Sequence, residues 1–218
     1  MVAEQGLGDR SISAFLEGLA SSAPSPGGGA AASLVGSMAA SLVSMVCNLT
    51  IGRPRYDAVD GPMRAILVKS EALREALTRL ADDDTRAYEV VAAAYRLPKA
   101  TDADRAVRHA AIQRALEGAA VPPQATMEAC RALLPLSLQV AAHGNSTVAS
   151  DAGVAAELAV AGVRSSIINV LANLTDLHDA DFIARAEARI ADAETGMVDD
   201  LHRVSAIVRA KLAPKIAR

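Results

Sequence analysis

Three short segments carry residue types suited to act on a small molecule. Asp84 and Tyr88, in Asp84-Thr-Arg-Ala-Tyr88, stand four residues apart and share a face if the segment is helical. A carboxylate there can take or give a proton, commonly for roughly a 10²–10⁴-fold effect. The plainer alternative is a solvated Asp beside a half-buried Tyr. Pro26-Gly27-Gly28-Gly29 precedes a long apolar run. Glycines let a ligand reach the backbone, and the free N–H groups of a helix start favour anions or carbonyl oxygens; a flexible helix start is the alternative. The third segment runs from Gly144-Asn145 to Ser150-Asp151, where ordinary capping by Ser150 or Asp151 competes with a functional role.

Other chemistries lack their residues. Gly6-Leu-Gly8 has no further glycine at the dinucleotide position, and there is no phosphate-binding loop. Glu-x-x-His and His-x-x-x-His do not occur, and His109, His143, His178 and His202 are scattered. Asp82, Asp83 and Asp84 are successive residues that a helix points in different directions, so no metal is expected. The 22 basic and 25 acidic residues are intermixed, for a net charge of −3; no nucleic-acid partner is implied. Cys47 and Cys130 lie within apolar helical patterns and read as buried reduced thiols. Residues 1–10, with Glu4 and Asp9, lack the basic start and apolar run of a signal peptide, so a cytoplasmic protein is expected.

The elements that must position these segments are helices. Apolar residues make up 51% of the 218 positions, yet aromatics only 2%. The core must then come from Ala, Leu, Val, Ile and Met, a palette that suits closely approaching helices better than a sheet. Periodicity and breakers predict one all-α domain over 1–218, a multihelical bundle of seven or eight helices. A short helix is expected over residues 11–21 with Phe15, Leu16 and Leu19 inward, then a long one over 28–50. Gly61-Pro62 opens a helix that continues to Tyr95, where Leu97-Pro98 stops it. Thr101-Asp-Ala-Asp104 resembles a capping box and starts a helix to about Gly118. Pro122-Pro123 is expected to open the next, with a kink at Pro135. A long apolar helix follows over 148–174. Asp179 then caps one final helix, whose stripe of Ile183, Ala186, Ile190, Ala193, Met197, Leu201, Val204 and Val208 serves a dimer or closes the bundle.

No residue from 18 to 52 carries a charge, a length that would permit a membrane span. Its content argues instead for a buried helix of a soluble bundle. Ser33, Ser37, Ser41, Ser44 and Asn48 recur at helical spacing along one face, and no second span or orienting basic flank is evident. The helix after Asn145 repeats the pattern with Ser166, Asn169, Asn173 and Asp176. Buried polar groups must find partners. The two stripes are either glue for each other or the lining of a polar ligand site.

In chain order, Ser25-Pro-Gly-Gly-Gly29, Met45-Val-x-x-Leu-Thr50 with Gly52 and Tyr56, Asp84-x-x-Ala-Tyr88, Leu97-Pro-Lys99, Pro122, Gly144-Asn145, Ser150-Asp151, Asn169 and Asn173 resemble the formiminotransferase-cyclodeaminase C-terminal domain family, which includes stand-alone methenyltetrahydrofolate cyclohydrolases. The resemblance spans roughly residues 15–182. It implies an all-α fold, a homodimer or higher assembly, and a tetrahydrofolate derivative as substrate with no prosthetic group. In 5,10-methenyltetrahydrofolate a cationic carbon bridges N5 and N10; water adds to it and the bond to N5 breaks, leaving 10-formyltetrahydrofolate. Cyclodeamination passes through a similar tetrahedral carbon, so the resemblance leaves both reactions open, with a non-catalytic folate-binding or assembly module as a third reading. With no formiminotransferase domain attached, the hydrolase is the expected activity. The resemblance implies Asp84 as the main acid/base carboxylate, Asp151 as the second, and Asn145 orienting pterin or water. Ser25, Pro26, Gly27, Gly28, Gly29, Ser33, Tyr88, His143 and Asn169 would bind substrate, and Lys99 or Arg53 would hold the glutamate tail.

Overall fold

The computed structural model describes residues 6–213; Glu4, from the polar start, lies outside the described residues. Among the described residues there are seven α-helices and no strand: α1 (Ile12–Leu19), α2 (Gly28–Asn48), α3 (Asp60–Tyr95), α4 (Asp102–His143), α5 (Ala149–Leu174), α6 (Ala180–Glu194) and α7 (Met197–Leu212). The helix starts use the predicted signals. Thr101 and Asp104 form a capping box with both bonds made, Asp179 accepts from the Phe182 N–H, and Pro62 sits in the first turn of α3.

Helix α2 is the central element, packed against α3, α4 and α5, while α4 lies along α5 and α7 rests on both. Val43 and Val46 of α2 meet Leu77, Met127, Leu133, Val163 and Val204 in one core. Small residues make an aromatic-poor core workable: a Cβ on Gly36 of α2 or on Gly162 of α5 would fall 2.5 Å from the Cys130 sulfur of α4. Three helices therefore converge on one thiol. Both cysteines are free and buried; burial pushes the Cys130 thiol up to about 12 and that of Cys47 to about 11. A second cluster, with Ala94, Ile112, Leu116, Val170 and Leu174, joins the end of α3 to the start of α4 and the end of α5.

Several expectations are corrected. The break predicted between Gly118 and Pro122 does not occur, and α4 runs unbroken through Pro122, Pro123 and Pro135. A proline inside a helix leaves the carbonyl four residues earlier without its N–H partner. Here the Ala119 oxygen freed by Pro123 accepts from Asn173 Nδ2 at 3.2 Å, and Gly118 is exposed to water. The predicted final helix is instead two, divided at Gly196, whose φ of +66° is left-handed. Its stripe persists across the division: Ala186, Ala193, Met197, Val204 and Val208 all close the bundle. In α1 only Phe15 packs inward; Leu16 is 54% exposed and Leu19 also faces out.

The serine stripe of α2 is helix–helix glue, though not to α5. Ser33 bonds Thr126 of α4 at 2.9 Å, and Ser37 and Ser44 bond Thr78 and Ser70 of α3 at 3.0 and 2.8 Å. A second helix long and apolar enough to cross a membrane is present, Ser146–Leu174, contrary to the expectation of one such stretch. In the bundle, 61% of the apolar window of Gly28–Asn48 and 50% of that of Ser146–Leu174 are buried against other helices.

Candidate active site

Where α2 begins, four helices enclose a cavity of about 290 Å³. Pro24, Ser25, Gly27, Gly28 and Gly29 form one side; Asp84, Tyr88 and Val91 come from α3, Ala119 from α4, and Asn169, Ala172 and Asn173 from α5. The site exists because α2 starts with glycines. A Cβ on Gly29 would collide with all three heavy atoms of the Asp84 carboxyl, so the carboxylate lies directly against the bare backbone of the first turn. There it faces the Ala30 N–H, one of the donors that a helix start leaves open. Burial nevertheless raises the Asp84 carboxyl above its ordinary range, and the bond from Ala30 offsets this only in part. Asp84 is the only carboxyl in the lining, which carries no basic residue. Such a carboxylate suits a cationic ligand centre and can exchange a proton with it.

The opposite wall is amide. Asn169 Nδ2 donates to Ser165 O at 2.8 Å, and Asn173 Nδ2 donates to Asn169 O and Ala119 O at 3.0 and 3.2 Å. The Ser25 hydroxyl is buried beside the glycines and finds no partner among the described residues. Thus Asp84, Tyr88, Ser25, Gly27, Gly28, Gly29 and Asn169 are brought together as predicted. Asn173, Ala119 and Val91 join them although no role was expected of them. Asn173 was visible as the next member of the Asn169 stripe; Ala119 was hidden by the predicted helix break.

Other predicted site residues stand elsewhere. Ser33, 1% exposed, bonds Gly29 O and Thr126 beneath the pocket floor and does not line it. Pro26 is buried behind the wall, against Gly18. Asn145 is tied to Leu49 and Thr50 at the far end of α2. That helix has 21 residues, about 30 Å at its rise per residue. Asn145, and with it Asp151 in the first turn of α5 and exposed His143 at the end of α4, therefore stand about a helix length from Asp84 of the same chain and do not line its pocket. Lys99 is exposed in the α3–α4 connection and Arg53 lies beyond the far end of α2; neither lines the pocket.

Comparison with known proteins gives these residues a context. The formiminotransferase-cyclodeaminase family profile matches residues 11–192. A methenyltetrahydrofolate cyclohydrolase of Methylorubrum extorquens is 49% identical over 187 residues, covering 86% of this chain and 88% of that protein. A formimidoyltransferase-cyclodeaminase of Rattus norvegicus is 36% identical over 188 residues, and the match spans only 35% of its length. Among solved structures, a formiminotetrahydrofolate cyclodeaminase of Thermotoga maritima superposes with a TM-score of 0.82 at 30% identity, covering 92% of this chain and 96% of that one.

Proposed function

The chain belongs to the formiminotransferase-cyclodeaminase family, and from that premise we propose that it hydrolyses 5,10-methenyltetrahydrofolate reversibly to 10-formyltetrahydrofolate. The observation that carries the reading is the half-buried Asp84 carboxylate, the one charged group in a pocket of cavity size suited to a ring system. Its charge balances the amidinium cation of the methenyl bridge. As a water oxygen bonds to the bridging carbon, Asp84 accepts the water proton. The carbon–N5 bond then breaks as Asp84 passes that proton to N5; the hydroxyl on the bridging carbon loses its own proton to solvent and becomes the carbonyl of the formyl group, which stays on N10. A carboxylate whose pKa is held above its ordinary range is a stronger base than a solvated one and takes up the water proton more readily. Tyr88 flanks the ring, and the glycine backbone admits it closely. The cyclohydrolase of Methylorubrum extorquens, matched over nearly its whole length, favours hydrolysis; the cyclodeaminase of Thermotoga maritima supports deamination of formimino-tetrahydrofolate in the same pocket as the second reading.

The deciding experiment supplies the two folates separately and follows methenyl absorbance. Loss of absorbance from the methenyl substrate means hydrolase, and gain from the formimino substrate means deaminase. Asp84→Asn should lower turnover by orders of magnitude while folate still binds; full activity in that variant would overturn the assignment.

We also propose a homodimer through the outer face of α2 and α5. These two helices pack antiparallel, with Gly28 beside Asn169 and Thr50 beside Asn145. Met38 (52% exposed), Met45, Val154 and Ile168 (68% exposed) remain uncovered on them. Glu157 and Arg164, also exposed on α5, form no ion pair among the described residues. An acid and a base two turns apart are self-complementary under a two-fold axis.

A further inference from the structure

We infer that Asn169 and Asn173 form an acceptor wall that selects ligands by the N–H donors of their ring edge; the inference rests on the folate reading above and names the residues that make it specific. The orientation of both amides follows from their partners. A backbone carbonyl can only accept, so the ends of Asn169 and Asn173 facing Ser165 O, Asn169 O and Ala119 O must be the NH₂ groups. Both Oδ1 atoms are thereby turned the other way. Asn169 Oδ1 lies on the pocket side, nearest the start of α2, where it would stand 3.4 Å from a Cβ on Gly28. Neither Oδ1 has a hydrogen-bond donor among the described residues.

Three features of the chain conspire to hold this arrangement. Asn169 and Asn173 are one helical turn apart, so their amides stack along α5. Pro123 withdraws its N–H from α4 and leaves the Ala119 carbonyl free to capture the Asn173 amide. Gly28 leaves room for the Asn169 oxygen. With Asp84 opposite, the pocket presents acceptors from two sides and no cationic donor. An aminopyrimidinone ring offers the complement: a 2-amino group and a lactam N–H. Asn169, close to the glycines and so to Asp84, lies nearer the reacting carbon, and Asn173 reads the donor edge beyond it.

The test compares tetrahydrofolate with its 2-methyl analogue, in which a methyl replaces the 2-amino group. Binding to the wild type, Asn173→Ala and Asn169→Ala is measured by calorimetry. The wild type should prefer the 2-amino ligand by about tenfold or more, the cost of leaving unpaired the acceptors that the bound ring covers. Asn173→Ala should weaken tetrahydrofolate about tenfold and leave the 2-methyl analogue within about threefold, so that discrimination collapses. Equal loss for both ligands means that Asn173 merely braces α4 against α5, and overturns the inference. If either variant fails to fold, the wild-type comparison decides alone. Tetrahydrofolate bound without discrimination overturns the acceptor wall and leaves the folate reading standing; binding of neither ligand overturns that reading as well.

Discussion

Replacing Gly29 with alanine tests the geometry of the site with a single methyl group. The backbone permits the change, since only Gly52 and Gly196 among the described glycines have positive φ. Helix propensity favours it, because alanine in a helix is preferred over glycine by up to about 1 kcal/mol. The side chain, however, would enter the space of the Asp84 carboxyl. All three of its heavy atoms lie under the 3.0 Å that real Cβ atoms essentially never breach, and ordinary contact begins at 3.4 Å. The carboxylate must therefore retreat by about 1 Å, and a displacement of that size commonly costs on the order of 10²-fold in rate. Gly61→Ala is the control: nothing lies within 4 Å of its Cβ, so it gains the helix term without the clash. Methenyl hydrolysis and thermal unfolding would be followed in parallel for both variants. Gly29→Ala should fold with a Tm near that of the wild type and lose about 100-fold in kcat/KM, while Gly61→Ala keeps full activity. If Gly29→Ala retains activity within about threefold of wild type, the placement of Asp84 against the first turn of α2 is not what makes the site work.

Asp84→Asn should lower kcat by roughly 10²–10⁴-fold and remove an acid limb of the wild-type pH–kcat/KM profile that lies above the ordinary carboxylate range, because burial raises that carboxyl. The same raised pKa makes the wild-type fold lose stability as pH rises through it, so Asp84→Asn should be the more stable protein at neutral pH, with the difference vanishing in denaturant titrations below about pH 3.9, the unfolded value. Asn145→Ala should destabilise by about 1–3 kcal/mol, measured by urea unfolding, with kcat of the folded fraction unchanged; a selective loss of kcat would restore Asn145 to the chemistry. Arg164→Glu should dissociate the proposed dimer in sedimentation, and adding Glu157→Arg should restore it; a monomeric wild type, or a dimer indifferent to both changes, refutes that interface.

The fold was legible where a signal is local. Apolar spacing, the Thr101 and Asp179 caps and the glycine start of α2 each act within a few residues, and the structure follows them. The errors arose where tertiary contacts overrule a local rule. Pro122 and Pro123 read as a break, but the chain around them, with Ala119, Ala120 and Met127, is buried, and Asn173 partners the freed Ala119 carbonyl. Conversely, Thr195-Gly196 interrupts a stripe that periodicity alone joins, since the apolar residues resume in register after the turn. Leu16 and Leu19 keep a helical spacing with no neighbour to cover them among the described residues.

The site was legible only in part, because an ordered set of motifs carries no distances. Its members divide into two groups at opposite ends of α2, and hydrogen-bond capacity distinguishes their roles. Asn145 is engaged at each polar atom: its Nδ2 donates to Leu49 O, its Oδ1 accepts from the Thr147 N–H and hydroxyl, and its own N–H donates to Thr50 Oγ1, leaving one Nδ2 hydrogen unused. The Ser146 hydroxyl and N–H both meet the Tyr56 hydroxyl, lowering the pKa of that phenol. This cluster ties the α4–α5 connection to the end of α2, and the bonds of Asn145 serve that joint. At the other end the balance is reversed. The Asn169 and Asn173 oxygens, the Ser25 hydroxyl and the Asp84 carboxylate keep unused capacity around a cavity. A buried polar group without a partner lowers stability; the Ser25 hydroxyl is one, and beside the open amide oxygens and Asp84 it marks a surface that a ligand would complete, while the Asn145 end holds α2 in the register that puts Gly29 beneath Asp84.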